Sequence, residues 1–213
     1  PSTMSYRELA DAVARVATGF RKLGVRKGDR VAALMPNIPE AVIGFLASAT
    51  IGAVWSSCAP EFGVRSVIDR FQQIKPKILL TVDGYVYGGR QFDLTETSSK
   101  LRRHISDLEA TVLIPCLNGV IEVSDDVILW DDLLDGSDSQ LHFESVDFEH
   151  PLWVLYSSGT TGLPKAIVQG HGGILVDHLK TACFHLDIGP DDRLFWYTST
   201  GWIMWNFLMA GLL

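Results

Sequence analysis

A chain of 213 residues with 47% apolar content is long enough to bury a core and lies near the upper size of one domain. Its net charge of −7 argues against nucleic acid and anionic membranes as partners, so a bound nucleotide must be held by local donors. Three dispersed cysteines, Cys58, Cys116 and Cys183, with no Cys-x-x-Cys, fit reduced thiols in a cytoplasmic protein, and no apolar run reaches the roughly 18 residues of a membrane span.

Ser5-Tyr6-Arg7-Glu8 reads as a capping box, and Leu9, Val13, Val16, Phe20 and Leu23 recur at helical steps, which predicts a helix over 6–23 that stops at Gly24. A strand follows at Arg30–Met35, then a helix opened by Pro39 and ended by Gly52. Further elements are a strand near Ala53–Ser57, a helix over Val64–Ile74, a strand at Lys77–Val82, a helix over 94–108 and a strand at Ala110–Pro115. This alternation predicts an α/β fold: a doubly wound, mainly parallel sheet with flanking helices.

Residues 117–149 hold most of the acidic residues of the second half, Asp131, Asp132 and Glu144 among them. They read as an irregular acidic connector between a first subdomain, 1–116, and the start of a second, 150–213. Their spacing matches no EF-hand loop, so no metal is assigned there. Beyond the connector come a strand at 152–155, a helix over Gly173–Phe184 and a β-like run at Arg193–Tyr197. His171, His178 and His185 repeat every seven residues, whereas metal-binding histidines on one helix stand three or four apart. That row is read as incidental.

The chemistry concentrates at Tyr156-Ser157-Ser158-Gly159-Thr160-Thr161-Gly162-Leu163-Pro164-Lys165. Gly159 and Gly162 let the backbone bend and approach a polyanion. Ser157, Ser158, Thr160 and Thr161 offer hydroxyl donors, and Lys165 adds a compact positive charge. A Walker loop would place Lys-Ser/Thr directly after the second glycine and run into a helix. Here Lys165 comes three residues later, and Ala166-Ile167-Val168-Gln169 continues as a strand, so the loop reads as the tip of a β-turn-β element that grips a triphosphate. A second cluster, Gly201-Trp202-Ile203-Met204-Trp205-Asn206, would by itself read as ordinary core aromatics, but beside this loop it reads as rigid aromatic walls suited to a small organic acid.

The decapeptide resembles the adenylation signature of the AMP-forming ligase superfamily. Ser5–Met35, Gly52–Ser57, Phe62-Gly63-Val64, Asp69-Arg70-Phe71, Lys75-Pro76-Lys77 and Gly201–Asn206 resemble, within it, the acetoacetyl-CoA synthetases. The resemblance runs over nearly the whole chain and is least specific in 117–149. It implies part of the large N-terminal domain of such an enzyme, in ketone-body and lipid metabolism, using acetoacetate, ATP, Mg²⁺ and coenzyme A as small-molecule ligands. It implies that Ser157–Lys165 hold the β- and γ-phosphates and that Trp202, Ile203, Met204 and Trp205 border the acyl group. Arg90 would meet a coenzyme A phosphate or be a solvated turn residue, with Phe62 and Gly63 flanking the same channel. The family's adenine-binding segment, Mg²⁺-binding glutamate, ribose-binding aspartate and catalytic lysine belong downstream, so no catalytic residue is expected before Leu213, and Lys165 is not that lysine. The apolar end at Leu208–Leu213 reads as a piece of a larger protein that by itself forms no acyl-adenylate. The alternatives are another short-chain acyl-CoA synthetase, acetate-specific or otherwise, and a non-catalytic nucleotide-binding module.

Overall fold

A computed structural model describes residues 3–117, 124, 126–134, 140–157 and 162–213. Helix α1 (Tyr6–Lys22) opens with the expected capping box: Ser5 N donates to Glu8 Oε2 at 2.7 Å and Glu8 N to Ser5 Oγ at 3.3 Å. There follow β1 (Arg30–Leu34), α2 (Pro39–Ile51), β2 (Val54–Cys58), α3 (Val64–Ile74) and β3 (Ile78–Val82). Next come β4 (Gly84–Tyr87), β5 (Arg90–Asp93), α4 (Thr95–His104), β6 (Ala110–Ile114), β7 (Val127–Leu129) and α5 (Trp130–Leu134). The last elements are β8 (Pro151–Ser157), β9 (Lys165–Gly170), α6 (His171–Lys180) and α7 (Ile203–Leu208). Gly52, which ends α2, has φ of +73°, a left-handed conformation that glycine adopts without strain.

Among the described residues, seven strands form one sheet in the order β7-β6-β3-β1-β2-β8-β9, parallel except for β9, which runs antiparallel to β8. Strand alternation feeds two apolar layers. Val31 and Ala33 of β1 with Ile78 and Leu80 of β3 pack in the layer shared with α1 and α2, whereas Ala32, Leu34 and Leu79 face Val67 and Phe71 of α3 and Leu101 of α4. The doubly wound, mainly parallel sheet is the one that the alternation predicts.

The sequence reading needs correction in detail. Residues 193–197 form no ladder, although their composition reads as β-like. Phe195 and Tyr197 are exposed there, and no neighbouring strand takes up the backbone. Helix α6 begins at His171, and its continuation over Thr181–His185 is π-helical. Within 117–149, β7 joins the sheet beside β6, and α5 buries Trp130 and Leu133. Residues 84–93 form a separate antiparallel hairpin that the sequence reading did not distinguish.

β1 has β2 on one side and β3 on the other, so the chain reverses direction across the sheet at β1. Open α/β sheets place ligands at such a point, outside the carboxyl ends of the strands.

Candidate active site

Both motif regions lie at that carboxyl edge. Strands β8 and β9 pair from Pro151↔Gly170 to Ser157↔Lys165, so the glycine- and hydroxyl-rich segment closes a hairpin beyond Ser157. Ser158, Gly159, Thr160 and Thr161 lie outside the described residues. Gly162 has φ of +137°, a conformation that favours glycine, and among the described residues nothing lies within 4 Å of an added Cβ. Lys165 is exposed at the start of β9.

Helix α3 holds both shoulders of the hairpin. The Tyr156 hydroxyl donates to the Arg70 carbonyl at 2.7 Å, and Gln73 Nε2 donates to the Pro164 carbonyl at 2.9 Å. The Arg70 guanidinium lies 5.1 Å from the Phe62 ring centroid and 5.7 Å from that of Tyr156, within cation–π range of both. Burial, more than the nearby Cys58, raises the Tyr156 hydroxyl above the ordinary phenol range, so it stays a donor at neutral pH. Burial likewise pushes the Cys58 thiol up to about 12, which makes Cys58 an inert packing residue.

The Thr198–Trp202 segment is tied to the ends of β1 and β2. Thr200 Oγ1 donates to the Met35 carbonyl at 2.7 Å, and Ser57 Oγ donates to the Thr200 carbonyl at 2.7 Å. A Cβ at Gly201 would stand 2.8 Å from Phe62 Cζ and 3.1 Å from Ala59 N, so only glycine fits this close approach. The segment closes a cavity of about 670 Å³. Pro36 and Asn37 enter it from the end of β1, Pro60 and Glu61 from the end of β2, and Tyr85, Val86 and Tyr87 from β4. Trp196, Tyr197, Thr198, Ser199, Trp202 and Met204 complete the wall.

The structure thus divides the tryptophan cluster. Trp202 and Met204 line the cavity. Ile203 is 56% exposed and lines no part of it. Trp205 is fully buried, stacked on Trp55 with ring centroids 6.4 Å apart, and its indole N–H donates to Asn37 Oδ1 at 2.9 Å. A cavity wall made by Trp205 is therefore corrected: the turn of α7 sends that side chain into the core, where it supports the wall from behind. Phe62 backs the wall through Gly201, and Gly63 is the residue before α3. Arg90 is exposed on β5, paired with the cavity-lining Tyr87.

Sequence reasoning missed Asn37, Glu61, Tyr85, Tyr87, Tyr197 and Ser199. For Tyr85, Tyr87, Tyr197 and Ser199 the signal was the aromatic density of 85–92 and 195–202; Asn37 and Glu61 carried none. A second, largely apolar cavity of about 470 Å³, bounded by α1, α2 and α6, contains none of the predicted site residues. Among the described residues, no group of three His, Cys, Asp or Glu could hold a metal, and no helix is long and apolar enough to cross a membrane.

The glycine- and hydroxyl-rich hairpin and a partly aromatic cavity thus stand together at the sheet's switch point, where open α/β folds place ligands. The AMP-binding enzyme family matches residues 1–213, and the chain belongs to that family. The solved acetoacetyl-CoA synthetase from Streptomyces lividans superposes with a TM-score of 0.95 at 55% identity, covering all of this chain and 32% of that one. The acetoacetyl-coenzyme A synthetase of Rhizobium meliloti (strain 1021) is 44% identical over 98% of this chain and 32% of its own length. A malonamoyl-CoA synthetase of Penicillium aethiopicum is 35% identical over 98% of this chain and 30% of its own. The chain spans about a third of the length of the relatives it matches.

Proposed function

We propose that this chain is the leading part of an ATP-dependent, AMP-forming acid–thiol ligase that converts acetoacetate, ATP and coenzyme A to acetoacetyl-CoA, AMP and pyrophosphate in the cytoplasm. One observation supports it above the rest: the adenylation decapeptide closes a hairpin at the same sheet edge as an aromatic cavity. The acids in the relatives' names, acetoacetate and malonamate, share a carbonyl β to the carboxylate, which gives the substrate class.

In the first step a carboxylate oxygen of the acid attacks the α-phosphorus of ATP, and the bond to the β-phosphate breaks as pyrophosphate leaves. Ser157, Ser158, Thr160, Thr161 and Lys165, with the backbone at Gly159 and Gly162, hold the β- and γ-phosphates while charge spreads over their oxygens. Mg²⁺, when bound with the nucleotide, would offset the charge that develops on the phosphoryl oxygens. In the second step the coenzyme A sulfur attacks the acyl carbon, and the bond to AMP breaks. Trp202 and Met204 flank the acid. Arg90, beside the cavity lip at Tyr87, meets a coenzyme A phosphate, and Phe62 and Gly63 shape the wall behind it.

Product analysis on the full-length protein that carries this sequence tests the reading. Acetoacetate, ATP and coenzyme A should yield AMP, pyrophosphate and the thioester. Formation of ADP and orthophosphate, or no thioester, would overturn it.

A further inference from the structure

Helix α3 presents one face to the root of the β8–β9 hairpin. Arg70 and Gln73 stand three residues apart, so they are neighbours on that face. Gln73 bonds the Pro164 carbonyl, and the Arg70 carbonyl receives the Tyr156 hydroxyl. Both partners belong to the glycine- and hydroxyl-rich decapeptide. The Arg70 guanidinium lies at the same junction, against the rings of Phe62 and Tyr156.

The charge of this half-buried side chain is uncompensated. Nη1 donates to the Ser66 carbonyl at 2.8 Å and to the Ser66 hydroxyl, both neutral acceptors. Nε and Nη2 make no hydrogen bond among the described residues, and neither is sealed from water. No described carboxylate stands within ion-pairing reach of Arg70, and its neighbour Asp69 is taken by Arg65 at 3.1 Å. The chain carries 25 acidic against 18 basic residues, so a partner was easily supplied. A cation drawn partly out of water without a counter-charge is unfavourable. Stacked on aromatic faces, a guanidinium keeps its planar edge free, and that edge matches phosphate oxygens.

Resting on the ligase reading above, we propose that Arg70 is a further phosphate-binding residue: its free guanidinium edge holds the β- and γ-phosphates of the nucleotide at the root of the hairpin, with Phe62 and Tyr156 fixing its plane. The ligand supplies the counter-charge that the protein withholds. Charge that builds on the departing pyrophosphate faces the same cation.

The test is calorimetric titration of the full-length protein with MgATP and with AMP, which lacks both of those phosphates. Arg70→Met removes the charge and keeps an unbranched side chain. It should weaken MgATP about tenfold or more and AMP by less than about twofold. Arg70→Lys, which keeps the charge but not the fork, should fall between Arg70→Met and the wild type. Added salt should weaken MgATP less in Arg70→Met than in the wild type, because one ionic contact is already gone. Equal losses on MgATP and AMP would overturn the assignment, since Arg70 would then only brace α3 against the hairpin. So would Arg70→Lys as impaired as Arg70→Met. Wild-type binding of MgATP with Arg70→Met unaltered rejects only this inference; a wild type that binds neither MgATP nor AMP rejects the ligase reading and this inference with it.

Discussion

Residues 3–117 and residues 150–213 use the same kinds of side chain to different ends. In the first region the apolar residues are consumed by the sheet: β1 and β3 are almost wholly buried, and α1, α2 and α3 each turn an inner face to them. In the second region much of the apolar surface stays in contact with solvent. Ile167, Val168, Leu175, Val176, Phe184, Phe195, Tyr197 and Trp202 are all exposed. The early region is a scaffold whose residues answer to packing. The later one carries the β8–β9 hairpin and the Thr198–Trp202 segment to the scaffold's carboxyl edge and leaves apolar side chains uncovered.

The sharpest form of the contrast is two tryptophans three residues apart. Trp205→Ala should lose about 3–5 kcal/mol in urea denaturation, because it empties a core site and strands Asn37. Trp202→Ala should stay within about 0.5 kcal/mol yet raise the KM for the acid. Equal stability losses would erase the distinction. Next in size, Gly201→Ala should cost about 1–3 kcal/mol, since its Cβ collides with Phe62 and the Ala59 amide. Wild-type stability there would mean that the segment moves more freely than its contacts imply.

Tyr156→Phe removes one hydroxyl bond to α3 and should cost about 1 kcal/mol in urea denaturation. It should raise the KM for ATP more than that for the acid. A matched rise in both would show that α3 steadies the whole edge and not the hairpin.

The smallest expected effect concerns pH. Burial holds the pKa of His171 and of His178 below the usual value of 6.5, assisted at His171 by the neighbouring His150. The unfolded chain therefore binds protons there more readily than the folded one. Stability from these groups is complete above about pH 6.5 and is lost as pH falls through that value toward the folded pKa. Thermal midpoints between pH 8 and 5 should fall with acid, and His178→Gln should flatten the curve. A midpoint that rises on acidification would contradict the assignment.

Much of the scaffold was legible because local signals agreed with burial. The Ser5–Glu8 box, Pro39 at the first turn of α2 and the left-handed Gly52 each mark a boundary by their own chemistry. The β8–β9 hairpin was legible for the same reason, through glycine placement and a strand on each side. The β4–β5 hairpin was not, because β5 is wholly exposed and offers no apolar alternation to read. Trp202 and Trp205 could not be told apart, since the rotation of α7 decides which indole meets solvent. Arg70 could not be picked out for the site, because the hairpin beside it and the want of a carboxylate partner exist only in three dimensions.

Hydrogen–deuterium exchange on the full-length protein addresses the central claim most directly, that two adjoining structures at one sheet edge divide the nucleotide tail from the acid. MgATP should protect the segment from Tyr156 to Lys165, and acetoacetate added with it should protect Thr198 to Met204, while α1 stays unchanged. Protection by MgATP that avoids the 156–165 segment, or that appears only around the apolar cavity bounded by α1, α2 and α6, would contradict it.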